Sequence, residues 1–205
     1  MLKNLIMAVL IAAGGMNAAV AADAEAGKAQ YTPCVACHGA NAEGNPALNA
    51  PALAGQHAAY LTRQIQHFQQ GVRGGEPRDT LGRQMQGMAA VLGSPEAVAD
   101  VVAFIATQPV PQTAAIDYDK RNGEVQYNAS CGACHGAKAQ GNPSLNAPNL
   151  AILDEAYLRR QYTNFGEGIR GAHPQDKYGR QMAMMASMLA SEKDVNDVIG
   201  FILAQ

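Results

Sequence analysis

The sequence has no cysteine to spare. All four cysteines lie in two short motifs, so none is left for a separate disulfide framework of the kind that staples small exported domains. It has no block of like charge and no basic stripe. Lys and Arg number 15 against 17 Asp and Glu, a weakly acidic balance that argues against nucleic acid as a partner. No apolar run reaches the ~20 residues that a membrane-spanning helix requires. No segment alternates polar and apolar residues convincingly, which points away from a sheet.

One apolar run, Leu5 to Ala13, follows Lys3 and precedes the small residues Ala19-Val20-Ala21. This is the pattern of a secretory signal peptide, so residues 1–21 are expected to be cleaved on export. The rival reading, an uncleaved anchor, is weakened by Gly14, Gly15 and Asn17, which interrupt the stretch.

What the chain does contain, it contains twice. Cys34-Val35-Ala36-Cys37-His38 and Cys131-Gly132-Ala133-Cys134-His135 stand 97 positions apart. Cys-x-x-Cys-His is the spacing used to attach c-type haem: two sulfurs bond to the porphyrin's vinyl-derived carbons and the histidine reaches the iron from one face. A disulfide loop or a zinc site would explain an isolated cysteine pair, but neither explains a histidine after both. Two covalently bound haem c groups are therefore expected, on Cys34 and Cys37 and on Cys131 and Cys134, with His38 and His135 as iron ligands.

The same offset superimposes much more. Gly44-Asn45-Pro46 recurs as Gly141-Asn142-Pro143, Leu48-Asn49-Ala50-Pro51 as Leu145-Asn146-Ala147-Pro148, and Gly82-Arg83-Gln84-Met85 as Gly179-Arg180-Gln181-Met182. This is a tandem duplication. Two copies are too few for a solenoid, and each reads as a domain of roughly 90 residues. The expected division is 22–108 for the first domain, 109–115 for a linker and 116–205 for the second. Pro109 and Pro111 break the helix before the linker. Helices are expected from Leu61, Ile65, Phe68 and Val72, repeated as Leu158, Tyr162, Phe165 and Ile169, and from the stripe Val98, Val101, Val102 and Ile105, repeated as Val195, Val198, Ile199 and Ile202. Ser94-Pro95 and Ser191 with Asp194 supply start signals. A first helix in each copy carries Gly27 and Tyr31, or Gly123 and Tyr127, on one face. The expected fold is all-α: two tandem domains, each a few short helices wrapped around a covalently bound haem that supplies much of the core a small domain lacks.

The face of the iron opposite the histidine decides the chemistry. A thioether there closes the site and raises the potential, which suits electron transfer; a vacant position would admit oxygen or peroxide. Met85 and Met182, each 47 positions beyond its histidine, are the leading candidates, with Met88 and Met185 as the alternative pair. Met184 and Met188 have no counterpart in the first copy and read as packing. His57, His67 and His173 have no histidine counterpart, and surface or loop roles are expected for them. The second nitrogen of each ligating histidine needs a partner; a carbonyl near Pro51 or Pro148 is expected, with Pro46 and Pro143 competing. Arg73, Arg83, Arg170 and Arg180 are candidates for neutralising haem propionates, with a solvated surface role as the alternative.

With these motifs, and with Pro51-Ala52-Leu53-Ala54-Gly55-Gln56 after the first, the chain resembles a dihaem class I cytochrome c of the cytochrome c4 family over essentially its whole mature length. The resemblance matches Pro51 and Pro148 to the proline that binds the axial histidine, and Met85 and Met182 to the axial methionines. It implies a two-lobed periplasmic electron carrier, not an enzyme, with peripheral association at the membrane surface. Its implied partners are redox proteins: a donor dehydrogenase or bc-type complex and an acceptor oxidase, with no nucleic acid and a monomeric chain. An enzyme of the dihaem peroxidase or thiosulfate dehydrogenase type is the alternative. Leu150-Ala151-Ile152-Leu153 departs from Leu53-Ala54-Gly55-Gln56, which breaks exact symmetry between the two sites.

Overall fold

A computed structural model describes residues 21–205. The expected signal peptide falls outside that range, save for Ala21. The chain forms ten α-helices among the described residues: α1 (Ala24–Tyr31), α2 (Val35–His38), α3 (Ala58–Gln69), α4 (Thr80–Ala89), α5 (Pro95–Ala106), α6 (Lys120–Ser130), α7 (Gly132–His135), α8 (Glu155–Gly166), α9 (Lys177–Met185) and α10 (Glu192–Leu203). No strand occurs among them; the pairings Asn45–Ala50 and Asn142–Ala147 are isolated bridges that close two matching loops.

The first and last helices of each half cross closely because glycine removes a side chain at the contact. A Cβ on Gly27 would collide with the Asp100 carbonyl, and one on Gly123 with that of Asp197. One turn later Tyr31 packs on Phe104 at 5.2 Å between ring centroids, and Tyr127 on Phe201 at 4.8 Å. The two phenols donate hydrogen bonds to the Gly39 and Gly136 carbonyls just past the cysteine motifs. Each tyrosine thus fastens a motif to the α1–α5 or α6–α10 pair. The offset is 96 for these tyrosines but 97 for the cysteines. The extra residue is absorbed by geometry, since Thr32–Cys34 is a 3₁₀ turn where α6 runs on to Ser130.

The apolar stripes of α5 and α10 are buried as their spacing predicts, Val98, Val101, Val102 and Ile105 in one core and Val195, Val198, Ile199 and Ile202 in the other. Ser94 and Ser191 cap those helices through the Ala97 and Asp194 amides. Leu61 and Phe68 are buried along α3, as are Leu158 and Phe165 along α8. Val72 and Ile169 lie past the helix ends, after turns in which Gly71 and Gly168 take φ of +72° and +68°. Met85 and Met182 sit inside helices α4 and α9, whose N-termini are capped by Asp79 and Asp176 through the Gly82 and Gly179 amides.

Asp197 is the most buried acid, 2% exposed, and accepts hydrogen bonds from the Asp119 amide, Asn122 Nδ2 at 2.7 Å and Lys193 Nζ at 2.6 Å. Burial opposes its charge, but these donors prevail and hold its pKa at about 2. Its stabilisation is therefore complete above the ordinary carboxylate value of 3.8 and is lost as the pH falls toward about 2. Asp197→Ala should cost about 1–3 kcal/mol at pH 7. Chemical unfolding should show that deficit shrinking as the pH falls below that ordinary value.

Candidate haem sites and the interface between them

Each half encloses one apolar cleft, with its cysteine motif on one wall and the methionine helix on another. His38 and His135 are both buried, 5% exposed. Their Nδ1 atoms lie 2.9 Å from the Pro51 carbonyl and 3.1 Å from that of Pro148, so Nδ1 carries the proton and donates it. Burial lowers both imidazole pKa values, with the carbonyls opposing. The result is a neutral ring whose Nε2 lone pair is free to bind a metal, the usual second-sphere arrangement for a ligating histidine. Pro51 and Pro148 hold this position, and Pro46 and Pro143 do not.

Cys34 and Cys131 are half-buried and Cys37 and Cys134 exposed, and none of the four is in a disulfide. Burial raises the Cys34 thiol pKa and carries that of Cys131 to about 11, the neighbouring cysteine adding to both. Met85 and Met88 both line the first cleft, and Met182 and Met185 the second. Met85 is the more buried of its pair, since Met88 is 37% exposed. Met184 and Met188 are not packing residues: both are exposed and neither lines a cleft.

The two clefts meet at the interface between halves, where Tyr60, Leu153, Tyr157 and Gln161 line both. A pseudo-twofold network spans it. Arg63 forks onto Oδ1 and the carbonyl of Asn146, each at 2.9 Å; Arg160 does the same to Asn49 at 2.8 and 3.0 Å. Asn49 and Asn146 take φ of +58°, a left-handed turn that asparagine tolerates. Arg73 donates to Gln64, Tyr157 and Gln161, and Arg170 to Gln161, Tyr60 and Gln64. Burial works to raise the Tyr157 phenol pKa, but the charges of Arg73, Arg170 and Arg160 outweigh it and lower it.

Of the four arginines singled out in the sequence, Arg73 and Arg170 belong to this network. Arg83 and Arg180 instead donate locally, to the Pro77 and Pro174 carbonyls at the exposed surface. His57 keeps a loop position just before α3, whereas His67 lies inside α3 and is not a surface residue. His57 Nε2 reaches the Gln140 carbonyl and His67 Nδ1 lies 3.8 Å from Asp176, both across the interface. His173 has a loop role, accepting from the Gln175 amide. Arg63, Arg160 and their asparagine partners escaped the motif reading. The signal was present in the repeat, which matches Arg63-Gln64 to Arg160-Gln161 and Asn49 to Asn146.

The departure at Leu153 also falls here. Gln56, its counterpart, brackets Asn149 across the interface, donating to the carbonyl and accepting from the amide, each at 2.9 Å.

The residues fit a haem in each cleft. Paired thiols, a buried neutral imidazole and a thioether surround apolar walls. The Nε atoms of Arg63, Arg73, Arg160 and Arg170 are buried with no partner, where an acidic group of the cofactor would find them. Two such sites, each in its own small helical half, define a dihaem c-type cytochrome.

The cytochrome c family model matches residues 24–109 and again 121–205. Cytochrome c4 of Azotobacter vinelandii is 32% identical over 193 residues, covering 89% of each chain. The reduced recombinant cytochrome c4 from Pseudomonas stutzeri superposes with a TM-score of 0.69 at 29% identity, covering 89% of this chain and 98% of that one. A thiosulfate dehydrogenase electron acceptor of Stutzerimonas stutzeri is 32% identical over 157 residues, 71% of this chain and 68% of that protein. The chain belongs to the cytochrome c4 family of dihaem cytochromes c: two tandem cytochrome c domains binding two covalently attached haem c groups. It is an electron carrier of that class.

Gln56→Leu, which copies the second half's residue, would leave the Asn149 amide and carbonyl unpaired at a half-buried contact. We predict a loss of about 1–3 kcal/mol from the interface, read as faster hydrogen exchange of the Asn149 amide in the variant.

Proposed function

We propose that this chain shuttles electrons in the periplasm, cycling each iron between Fe(III) and Fe(II) with the same axial pair in both states. When bound, each haem supplies the one-electron couple. Cys34 and Cys37, and Cys131 and Cys134, form the thioether links. His38 and Met85 close the faces of the first iron, and His135 and Met182 those of the second. The domains run 22–108 and 116–205 with 109–115 between them, and residues 1–21 are removed on export.

One observation carries this reading. In both halves a buried imidazole, kept neutral by burial and oriented by a proline carbonyl, shares an apolar cleft with a half-buried methionine. Retaining both ligands in both oxidation states limits rearrangement, and a thioether opposite the imidazole favours Fe(II). Methionines available in both clefts argue against the enzyme alternative, which needs an accessible iron in at least one half. The shared walls Tyr60, Leu153, Tyr157 and Gln161 favour electron exchange within the chain. Exchange with outside partners would use small, weak interfaces beside Cys37 and Cys134, the exposed members of each pair. Donors of the dehydrogenase or bc-type class and an oxidase as acceptor suit such a carrier. The likeness to a thiosulfate dehydrogenase electron acceptor supports a sulfur-oxidising donor as well.

Met85→Ala should open one iron to cyanide, lower one of two reduction potentials and remove about half of the methionine–iron charge-transfer absorption at the red edge of the oxidised spectrum. The second site should keep its potential. If Met88→Ala has this effect and Met85→Ala does not, the ligand is Met88. Cys34→Ala or Cys37→Ala should weaken covalent attachment in the first half only, checked by haem-stained gels and mass spectrometry of the denatured chain. Unaltered linkage would contradict the assignment.

A further inference from the structure

Each cleft is walled in part by the opposite half. Tyr60 and Arg63, from α3, line the cleft under His135; Tyr157 and Arg160, from α8, line the cleft under His38. Arg63 and Arg160 are held rigidly for this. Each guanidinium forks onto an asparagine of the other half, and Arg63 also lies over Tyr178 at 4.7 Å. Arg73 and Arg170 stand beside them, each over a phenylalanine ring at 4.6 Å.

Four guanidiniums therefore gather at one interface, and among the described residues none of them is paired with a carboxylate. All four keep a buried Nε without an acceptor. Taking a cation out of water without a counter-charge costs several kcal/mol. The protein offers amide, phenol and carbonyl oxygens here; the carboxylates nearby, Asp176 in the second cleft and Asp79 in the first, cap their helices and pair directly with none of the four, Asp176 acting on Arg170 only at longer range. Each haem c carries two propionates, so two haems bring four carboxylates to four cations.

We propose that Arg63 and Arg160 act in trans: each sets the reduction potential of the haem carried by the opposite half, by holding a guanidinium against that haem's propionates. The inference rests on the dihaem assignment and adds a cross-domain positioning role for two residues outside the cysteine and methionine motifs. The sign follows from charge. Fe(III) carries one more positive charge than Fe(II), so a fixed guanidinium nearby disfavours the oxidised state and raises the potential.

The test is an equilibrium redox titration of the holoprotein. Its two components are assigned by NMR contacts of each haem's methyl groups with Ile65 in the first cleft or Tyr162 in the second. Arg63→Gln should lower the C-terminal component and leave the N-terminal one in place. Arg160→Gln should do the reverse, and Arg63→Lys, which retains the charge, should restore most of the lost potential. A shift confined to the haem of the mutated half, an equal shift of both, or no shift overturns the inference. If Arg63→Gln fails to retain both haems, Arg160→Gln and Arg63→Lys decide the matter by the same criteria. A parent chain without two covalent haems would strike the cofactor assignment itself, separately from the arginines.

Discussion

A hydrogen bond from each buried histidine to a proline carbonyl thirteen residues on is the constraint from which both the site and the domain arrangement follow. It fixes the proton on Nδ1 and turns the Nε2 lone pair into the cleft, while burial keeps the ring neutral. It also requires the intervening chain to fold back, which the Asn45–Ala50 and Asn142–Ala147 bridges accomplish. The returning segment is Leu-Asn-Ala-Pro in both copies. Its proline serves its own histidine, and its asparagine receives an arginine from the other half. Four residues thus join the seat of the cofactor to the docking of the domains.

That economy explains the character of the interface. It is built of arginine, tyrosine, glutamine and asparagine with little to balance the positive charge, and its partial symmetry mirrors the duplication. Most of its hydrogen bonds come in pairs related by the repeat. The exceptions sit where the copies diverge. Gln56 reaches Asn149 with no reciprocal bond because Leu153 stands at the matching position, and Tyr178 supports Arg63 where the first copy has Leu81. These local differences place the two clefts in unequal surroundings.

Much of this was legible in the residues. The cysteine motifs are local and specific, the repeat offset exposes the duplication, and α5 and α10 announce themselves by long apolar stripes with serine caps. The Pro51 and Pro148 carbonyls follow from the need to orient a ligating imidazole. Helices α4 and α9 were harder to see. Thr80–Ala89 and Lys177–Met185 hold few apolar residues apart from methionine, and their aspartate caps lie in loops that read as glycine- and proline-rich connectors. The interface was illegible from composition because it is non-local. Arg63 and Arg160 resemble solvent-facing residues until the second copy is laid against the first, and His57 and His67, which have no histidine counterpart, give no signal even then. Met184 and Met188 show the opposite failure, since apolar residues without a repeat partner lie on the surface.

The central claim is that a nitrogen and a sulfur close both faces of both irons. Proton NMR of the fully reduced holoprotein tests it most directly, because a methionine bound to ferrous haem places its ε-methyl group in the shielding region of the porphyrin. The account predicts two three-proton resonances displaced far upfield of the aliphatic methyl signals, one from Met85 and one from Met182. A single such resonance, or none, would contradict it.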